Sequence, residues 1–268
     1  MLKPILILTL AVLGLVGLAY LTLFEDYAYG PHRNQRMDVY APKGAENAPV
    51  ILMLHGGGWS GGSRRWPNVW FNKSRHFTNK GYVFVSTGTR LLPEADPLEQ
   101  VDDLAAAFAY VVENAKSWGG DPDRIILMGH SSGAHVASLL GVQQDLLRAK
   151  GLPKPLAIVS LDTAALDVTQ GMAGPPRRWL AAIFGEDRAL WQRASPAHFM
   201  DPEDPPMLVA CSTKYSFPCA YAVEFASAHA QVEALSVPYA HRGVNARLGA
   251  KNDYTQAVDQ WLARLGLP

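Results

Sequence analysis

Short apolar runs alternate with amphipathic stretches along most of this chain. Five of these runs are almost uninterrupted, a pattern typical of strands that are buried on both faces of a sheet. They cover residues 50–54, 82–87, 124–128, 156–161 and 207–210. Two further strands are predicted at 36–40, where apolar and polar residues alternate, and at 235–237.

The stretches between these runs have the three- and four-residue spacing of amphipathic helices. The clearest helix is predicted over 98–118, and the others over 69–80, 134–147 and 252–265. Residues 167–204 are rich in Pro and Trp and lack a regular pattern, so we predict a short, irregular, cap-like insertion there. Strands that alternate with helices predict an α/β fold with a mostly parallel central sheet and right-handed crossovers.

The N-terminal stretch differs from the rest of the chain. Residues from Ile5 to Phe24 form an uncharged, mainly apolar run that is long enough to cross a hydrocarbon layer of about 30 Å as a helix. Lys3 precedes the run and Glu25 follows it, a charge asymmetry that puts the N-terminus in the cytoplasm and the rest outside. We therefore predict a signal peptide or, preferably, an uncleaved membrane anchor over 1–26. One domain over 27–268 would then be periplasmic or anchored outside the cytoplasm.

Charge and cysteine content narrow the classes of partner. The 24 Lys and Arg residues balance the 24 Asp and Glu residues, so no overall field favours nucleic acid, and we predict no nucleic-acid partner. Cys211 and Cys219 both lie in one predicted loop, and export would allow a disulfide between them, with two separate thiols as the alternative. Neither cysteine has a His or Cys at ligand spacing, so no metal is predicted.

A candidate nucleophile lies where a predicted buried strand passes into a helix. Residues from Gly129 to Gly133 read Gly-His-Ser-Ser-Gly. A serine hydroxyl is a weak nucleophile that must be presented in a strained turn, clear of the sheet. The two glycines leave room for that turn, and the following helix directs its positive end to the centre. This context favours Ser131 as a nucleophile over a turn built only for packing.

A second glycine-rich turn follows an earlier buried strand and reads His55-Gly-Gly-Gly-Trp59. Attack on a carbonyl creates a negative oxygen, which backbone N–H groups can stabilise. Consecutive glycines let those groups turn inward, so the candidate donors are the amides of Gly57 and Gly58, joined by that of Ser132. A phosphate-binding loop is disfavoured because no Lys-Ser or Lys-Thr follows at the required spacing.

The general base should be a histidine that follows the last strand. His241 has that position, whereas His229 falls inside a predicted helix and His198 falls in the insertion. We therefore predict His241 as the base that takes the proton of Ser131.

Three segments, 55–59, 119–125 and 129–135, together resemble the esterase/lipase group of α/β-hydrolases. They are most similar to its bacterial feruloyl-esterase-like and kynurenine-formamidase-like branch. The resemblance extends from about Tyr29 to the C-terminus. It implies an α/β-hydrolase fold, no cofactor, a small-molecule ester as substrate, and the roles given above for Ser131, His241, Gly57, Gly58 and Ser132.

The chain departs from this family at the catalytic acid, which usually follows the penultimate strand. Residues 211–218 contain no carboxylate there, and without an acid the histidine lacks orientation. We favour Asp162, at the end of the preceding strand, although it could instead cap a turn. Glu224, on the next helix, and Ser216 or a backbone carbonyl are the alternatives.

Two more expectations concern the surroundings of the site. Arg90 should pair with Asp102 or Asp103 and support the serine turn. Within the insertion, three aromatic residues indicate either an apolar pocket or ordinary core: Trp179, Phe184 and Trp191.

Together these features predict a serine hydrolase that cleaves carboxylic esters through an acyl-enzyme intermediate. Two alternatives stay open. An arylformamidase or amide hydrolase would pass through the same kind of oxyanion, and a degenerate hydrolase that only binds a ligand would explain the missing acid.

Overall fold

A computed structural model describes residues 24–175 and 177–268. Within them, eight strands form one sheet in the order β1-β2-β4-β3-β5-β6-β7-β8. Their bounds are β1 Glu25–Ala28, β2 Arg36–Tyr40, β3 Ala48–Leu54, β4 Val83–Thr87, β5 Gly120–His130, β6 Ala157–Leu161, β7 Met207–Ser212 and β8 Val232–Val237. The β1/β2 and β2/β4 pairs are antiparallel, and all the other neighbours are parallel.

Helices cover both faces of this sheet. In chain order they are α1 Pro67–Asn79, α2 Pro97–Asn114, α3 Ser132–Val142, α4 Gln144–Ala149, α5 Val168–Ala173, α6 Arg177–Phe184, α7 Arg188–Arg193, α8 Ser216–Ala228, α9 His241–Arg247 and α10 Asp253–Arg264. The mostly parallel sheet flanked by helices confirms the predicted α/β fold.

The core has two layers because alternate residues of a strand point to opposite faces. On β3, Val50 and Leu52 pack with Phe108 of α2 and with the buried side of α3. The intervening Ile51 packs instead with α1 and α10, where Trp261 is buried. A strand that is covered on both faces reads as a continuous apolar run, which explains the pattern in the sequence.

The register of the parallel strands brings their carboxyl ends to one edge of the sheet. Leu54 of β3 lies beside Gly129 of β5, His130 lies beside Leu161 of β6, and Leu161 lies beside Ala210 of β7. Residues that directly follow these strands are therefore neighbours in space although they are far apart in sequence.

The seven predicted strands are all present, whereas three local predictions were wrong. The helix predicted over 134–147 is divided at Gln143, whose φ of −85° and ψ of 66° are not helical. The helix predicted over 98–118 ends at Asn114 and continues as a 3-10 turn over Ala115–Trp118. The insertion is not irregular, because α5, α6 and α7 lie within it.

The prediction that both cysteines share one loop was also wrong. Cys211 lies in β7 and Cys219 lies in α8, and a disulfide joins them. The bond therefore ties the end of a strand to the beginning of the following helix, and the alternative of two separate thiols is excluded.

The predicted membrane-spanning run lies outside the described residues, apart from Phe24. Among the helices of the described part, none has the length and apolar character that a membrane crossing requires.

Candidate active site

Ser131 occupies a strained turn between the last residue of β5 and the first residue of α3. Its φ of 56° and ψ of −122° are rare for a residue with a side chain. The backbone around it is held on both sides: the Ser131 amide donates to the carbonyl of Leu161 at 2.8 Å, and the Ser131 carbonyl accepts from the amide of His135 at 3.1 Å. A Cβ at Gly129 would overlap the carbonyl of Gly133, and a Cβ at Gly133 would overlap the carbonyl of His55. Both positions therefore require glycine.

His241 lies between Ser131 and Asp162. Its Nε2 atom is 3.0 Å from the Ser131 hydroxyl oxygen, and its Nδ1 atom is 2.7 Å from Oδ2 of Asp162. Because an ionised carboxylate can only accept, Nδ1 carries the hydrogen and Nε2 is left to accept from the serine. The three side chains form one continuous hydrogen-bonded chain.

Asp162 follows β6 in a tight turn, with φ of 55°. Its side chain is fully buried, and its second oxygen, Oδ1, accepts from the amide of Ser212 at 2.7 Å. Its own amide donates to the carbonyl of Ala210 at 2.7 Å. Neighbouring β7 therefore fixes the carboxylate that contacts His241.

The other candidates for the acid and the base lie elsewhere. Glu224 is exposed and accepts from Gln170 at 2.6 Å. The side chain of Ser216 lies outside the described part. His229 follows α8 and packs against the ring of Phe225, and His198 lies in a 3-10 turn of the insertion.

The triple-glycine loop packs directly on the serine turn. A Cβ at Gly56 would lie 2.7 Å from the carbonyl oxygen of His130. Gly57 and Gly58 both have positive φ, 148° and 64°, and line the same cavity as Ser131. Within the described residues, no protein acceptor is found for the amides of these two glycines. Their N–H groups can therefore serve an oxygen of a ligand.

Two of the motif histidines are buried supports of these loops. His55 Nδ1 donates to the Gly56 carbonyl at 3.0 Å, and burial lowers its pKa to about 4. His135 accepts from the indole of Trp59 at 3.2 Å and donates to the Ala194 carbonyl at 2.7 Å. Burial also lowers the pKa of His135 to about 4. Both side chains are therefore neutral and link the loops to α3 and the insertion.

His130 contacts both the main chain and the ring of His241. Its Nε2 atom donates to the His241 carbonyl at 3.0 Å, and the two ring centroids are 4.6 Å apart. Burial and the neighbouring His241 lower the pKa of His130 to about 3. Sequence analysis did not find this role, although His130 lies inside the serine motif.

A buried lysine holds the far end of the helix that carries His241. The Lys73 ammonium donates to the carbonyls of Asn245 at 2.6 Å and Asn68 at 3.0 Å, while Asn72 donates to the Ala246 carbonyl at 2.8 Å. Burial lowers the pKa of Lys73 to about 7. Sequence analysis missed Lys73 as well. Its place on the apolar stripe of α1, four residues after Val69, was the available signal.

Two cavities open beside Ser131, and Trp179 and His241 line both of them. The larger is about 810 Å³ and includes the triple-glycine loop, Asn68 and Arg242. The smaller is about 360 Å³, and its wall includes Thr163, Ala164, Tyr215, Phe217 and Pro218. Of the three aromatic residues predicted to form a pocket or core, Trp179 lines the pocket, whereas Phe184 and Trp191 are buried in the core.

Arg90 pairs with Asp103, at 2.8 Å, as one of the two predicted partners. Asp102 contacts Lys150 instead. The Leu92 amide donates to the Trp59 carbonyl at 2.9 Å, so this segment is tied to the glycine loop.

Among the described residues, no cluster of His, Cys, Asp or Glu side chains is placed to hold a metal ion.

Comparison with known proteins gives one consistent group. The BD-FAE family profile matches residues 37–227. Esterase LipQ of Mycobacterium tuberculosis is 28% identical over 247 residues, which cover 79% of this chain and 57% of that protein. A probable isoprenylcysteine alpha-carbonyl methylesterase of Arabidopsis thaliana, ICMEL2, is 29% identical over 144 residues, covering 52% of this chain and 33% of that protein. This chain therefore spans only part of these relatives.

Solved structures show the same fold. A propionate-bound esterase from Thermogutta terrifontis superposes with a TM-score of 0.74 at 21% identity, covering 91% of this chain and 95% of that one. An esterase from Pyrobaculum calidifontis has a TM-score of 0.70 at 24% identity, covering 90% of this chain and 84% of that one. The fold is thus the α/β-hydrolase fold, and the chain belongs to the BD-FAE family, in the esterase/lipase group of α/β-hydrolases.

Proposed function

We propose that the chain is a serine hydrolase that cleaves small carboxylic esters through an acyl-enzyme intermediate. The observation that supports this most directly is the hydrogen-bonded chain from Asp162 through His241 to Ser131. These hydrogen-bonded side chains lie at the cavity that Gly57 and Gly58 also line.

In the first half of the reaction, the Ser131 oxygen attacks the ester carbonyl carbon while its proton passes to Nε2 of His241. The carbonyl oxygen becomes negative and accepts hydrogen bonds from the amides of Gly57, Gly58 and Ser132. Each such donor typically stabilises the transition state by about 3 kcal/mol. The bond to the leaving oxygen then breaks, Nε2 returns the proton to it, and an acylated serine remains.

In the second half, water repeats the sequence. His241 takes a proton from water, the hydroxide attacks the acyl carbon, and the serine oxygen leaves with the proton from Nε2. Asp162 stays ionised throughout, holds Nδ1–H, and stabilises the imidazolium that forms in each half. Positioned proton transfer of this kind contributes roughly 10²–10⁴-fold to the rate.

The carboxylate of Asp162, directly after β6, weighs against a degenerate hydrolase that only binds. That alternative was motivated by the absence of a carboxylate after β7, and Asp162 reaches the same imidazole from the neighbouring strand. No contact of the site favours an amide over an ester, so hydrolysis of a formamide is measured in parallel with that of an ester.

We also propose that the domain functions outside the cytoplasm, anchored through the run from Ile5 to Phe24. The apolar run and the disulfide between Cys211 and Cys219 both support this, because disulfides persist mainly in oxidising compartments. Protease added to cells that express the full chain and have an intact cytoplasmic membrane should degrade the domain. Degradation only after that membrane is permeabilised would place the domain in the cytoplasm and contradict the proposal.

Activity is tested on p-nitrophenyl acetate, with N-formylkynurenine assayed in parallel. Ser131→Ala should lower kcat by about 10⁵–10⁶-fold and abolish labelling by a fluorophosphonate probe. Ser138→Ala is the matched control, because this buried serine of α3 has no hydrogen-bond partner within the described residues. A folded wild-type protein that neither labels nor turns over either substrate would overturn the proposal.

A further inference from the structure

The larger cavity has an uneven distribution of charge. Among the described residues that line it, Arg242 is the only one with a full charge at neutral pH, and none is an Asp or Glu. The nearest catalytic carboxylate, Asp162, lines only the smaller cavity and is already bonded to His241 and Ser212. The chain as a whole has no net charge, so the positive character is local to this cavity.

Arg242 has no partner within the described residues, whereas two other arginines near the site are paired. Arg65 contacts Asp38 and Arg90 contacts Asp103, each at 2.8–3.0 Å. Arg242 directly follows His241 and is exposed. Within the described residues it makes no ion pair or hydrogen bond. Its guanidinium can therefore turn towards a ligand without breaking a protein contact.

Asn245 provides a second, independent sign of a polar ligand in the same cavity. The residue is 1% exposed, and its side-chain oxygen has no hydrogen-bond partner among the described residues. A buried amide without partners is costly, typically about 1–3 kcal/mol. No hydrogen bond fixes which end of this amide faces the cavity. With its NH2 group turned to the cavity, this amide can donate to an oxygen of a ligand.

Lys73 adds positive charge behind the asparagines of this cavity. Its ammonium contacts the main chain of both asparagines that line the cavity, Asn68 and Asn245, and no carboxylate of the described part of the chain. With a pKa of about 7, it is charged for at least part of the time at neutral pH. A field from a buried charge is weakly screened by salt, so it reaches the cavity.

We propose that the larger cavity binds a carboxylate group of the substrate through Arg242, with the Asn245 amide as a further hydrogen-bonding group. The preferred esters then carry a negative charge on the half that fills this cavity. This inference rests on the proposed esterase function and specifies its substrate class.

Binding can be measured without turnover. Phenylacetate and phenylacetamide have nearly the same shape but differ in charge, and the indoles of Trp66 and Trp179 at the cavity report their binding by fluorescence. The full-length protein should bind phenylacetate about tenfold more tightly, a typical gain for a charge-assisted hydrogen bond. Arg242→Gln should remove this difference, and Arg242→Lys should retain part of it.

The kinetic test uses two pairs of esters, because the charge could lie on either half. One pair is p-nitrophenyl hemiglutarate and its terminal amide, with the charge on the acyl half. The other is 3-acetoxybenzoate and 3-acetoxybenzamide, with the charge on the leaving half. In at least one pair, the wild-type kcat/KM should favour the charged ester by about tenfold, and Arg242→Gln should abolish that preference.

Arg178→Gln is the matched control. Arg178 is exposed on α6 beside Trp179 and lines neither cavity, so the same loss of charge there should leave every ratio unchanged. Equal binding of the two probes, together with equal kcat/KM within both ester pairs, would overturn the carboxylate site. If the neutral esters are not hydrolysed at all, the proposed esterase function fails instead, and the binding difference still decides the inference.

Discussion

The site has a floor, which carries the proposed catalytic groups, and a pocket wall, and the two are built differently. The floor comprises residues 55–58, 129–133, Asp162 and His241, and the wall comprises the cavity-lining side chains of Trp179 and Tyr215. Main-chain geometry defines most of the floor: Gly129 and Gly133 have no room for a Cβ, and the Asp162 side chain is fully buried.

The wall, in contrast, consists of exposed side chains. Trp179 is 43% exposed and Tyr215 is 49% exposed, and neither is required by the packing of the sheet. A floor set by the backbone fixes which reaction can occur, whereas a wall set by side chains can change without disturbing it. Changes in the floor should therefore lower the rate for every substrate, and changes in the wall should alter only the choice among substrates.

After Ser131→Ala, the largest effect is expected for Asp162→Asn. The amide keeps the shape of the carboxylate but cannot hold Nδ1–H of His241 and also stabilise the imidazolium. We expect kcat to fall by about 10⁴-fold on charged and neutral esters alike. Steady-state kinetics on p-nitrophenyl acetate measures this, and circular dichroism checks that the variant is folded.

Glu224→Gln is the matched change from carboxylate to amide outside the floor. Glu224 is exposed and contacts Gln170, so kcat should stay within about twofold of the wild-type value. If Asp162→Asn retains more than a tenth of the activity, a group other than Asp162 orients His241.

The second expectation concerns acid. His55, His130 and His135 are buried in or under the floor, with pKa values of about 4, 3 and 4, below the unfolded value of about 6.5. The unfolded chain therefore binds more protons below pH 6.5. The contribution of these three neutral histidines to the free energy of unfolding is complete above that pH and is lost as the pH falls towards 4. The free energy of unfolding should decrease by up to about 4 kcal/mol per pH unit in this window.

Urea unfolding at pH 7, 6 and 5 measures that slope. His135→Gln removes one of the three groups, so its slope should be shallower by about 1.4 kcal/mol per pH unit, whatever its stability at pH 7. A wild-type slope of less than about 1.4 kcal/mol per pH unit would mean that these histidines are not neutral in the folded protein.

The floor was also the more predictable region from sequence. Ser131 and the glycine loop have local signals, because the turn, the strand before it and the helix after it are contiguous in the chain. His241 was predicted as the base from its position after the last strand. These residues could be proposed without knowing the register of the sheet.

Asp162 could only be one candidate among several. Its closeness to His241 depends on the pairing of Leu161 with Ala210, which puts the ends of β6 and β7 side by side, and sequence spacing does not encode this. His130 and Lys73 escaped notice for a related reason. Their partners are main-chain carbonyls 111 and 172 residues away, and a carbonyl has no signature in a sequence.

The helices of the insertion were missed because they are short. Helices α5, α6 and α7 have six, eight and six residues. Isolated helices of this length are not stable in water, so they depend on tertiary packing rather than on local pattern. Their buried residues, such as Leu180 and Phe184, pack against the main core.

The third prediction tests the tie between the wall and the sheet. Replacing Cys211 and Cys219 together by Ala opens a link across eight residues, which should lower the free energy of unfolding by about 2.5 kcal/mol in the chain-entropy model. Thermal unfolding measures this. Turnover of p-nitrophenyl acetate at 25 °C should remain within about threefold, because both sulfur atoms lie beside Ser236 and, within the described residues, form no hydrogen bond with Ser131, Asp162 or His241.

Treatment of the wild-type protein with a reductant should reproduce the loss of stability, and the same treatment of the double variant should have no effect. A decrease of kcat by more than about tenfold in a folded double variant would show that the wall and the floor are coupled.

The smallest effect is expected for Trp179→Ala, which removes the side chain that the two cavities share. Its ring packs on Trp59 with centroids 5.2 Å apart, and within the described residues it forms no hydrogen bond with Asp162, His241 or Ser131. Without it, the larger and smaller cavities merge, so the ratio of kcat/KM between p-nitrophenyl acetate and octanoate should change by about tenfold, the effect of about 1.4 kcal/mol. The kcat for acetate should change by less than about threefold, since the floor is intact.

Phe199→Ala is the control. Phe199 is an exposed aromatic residue that lines neither cavity beside Ser131, so its replacement should leave the ratio unaltered. If Trp179→Ala instead lowers kcat equally for both esters, the insertion helps to form the floor, and the division between a fixed floor and a variable wall does not hold.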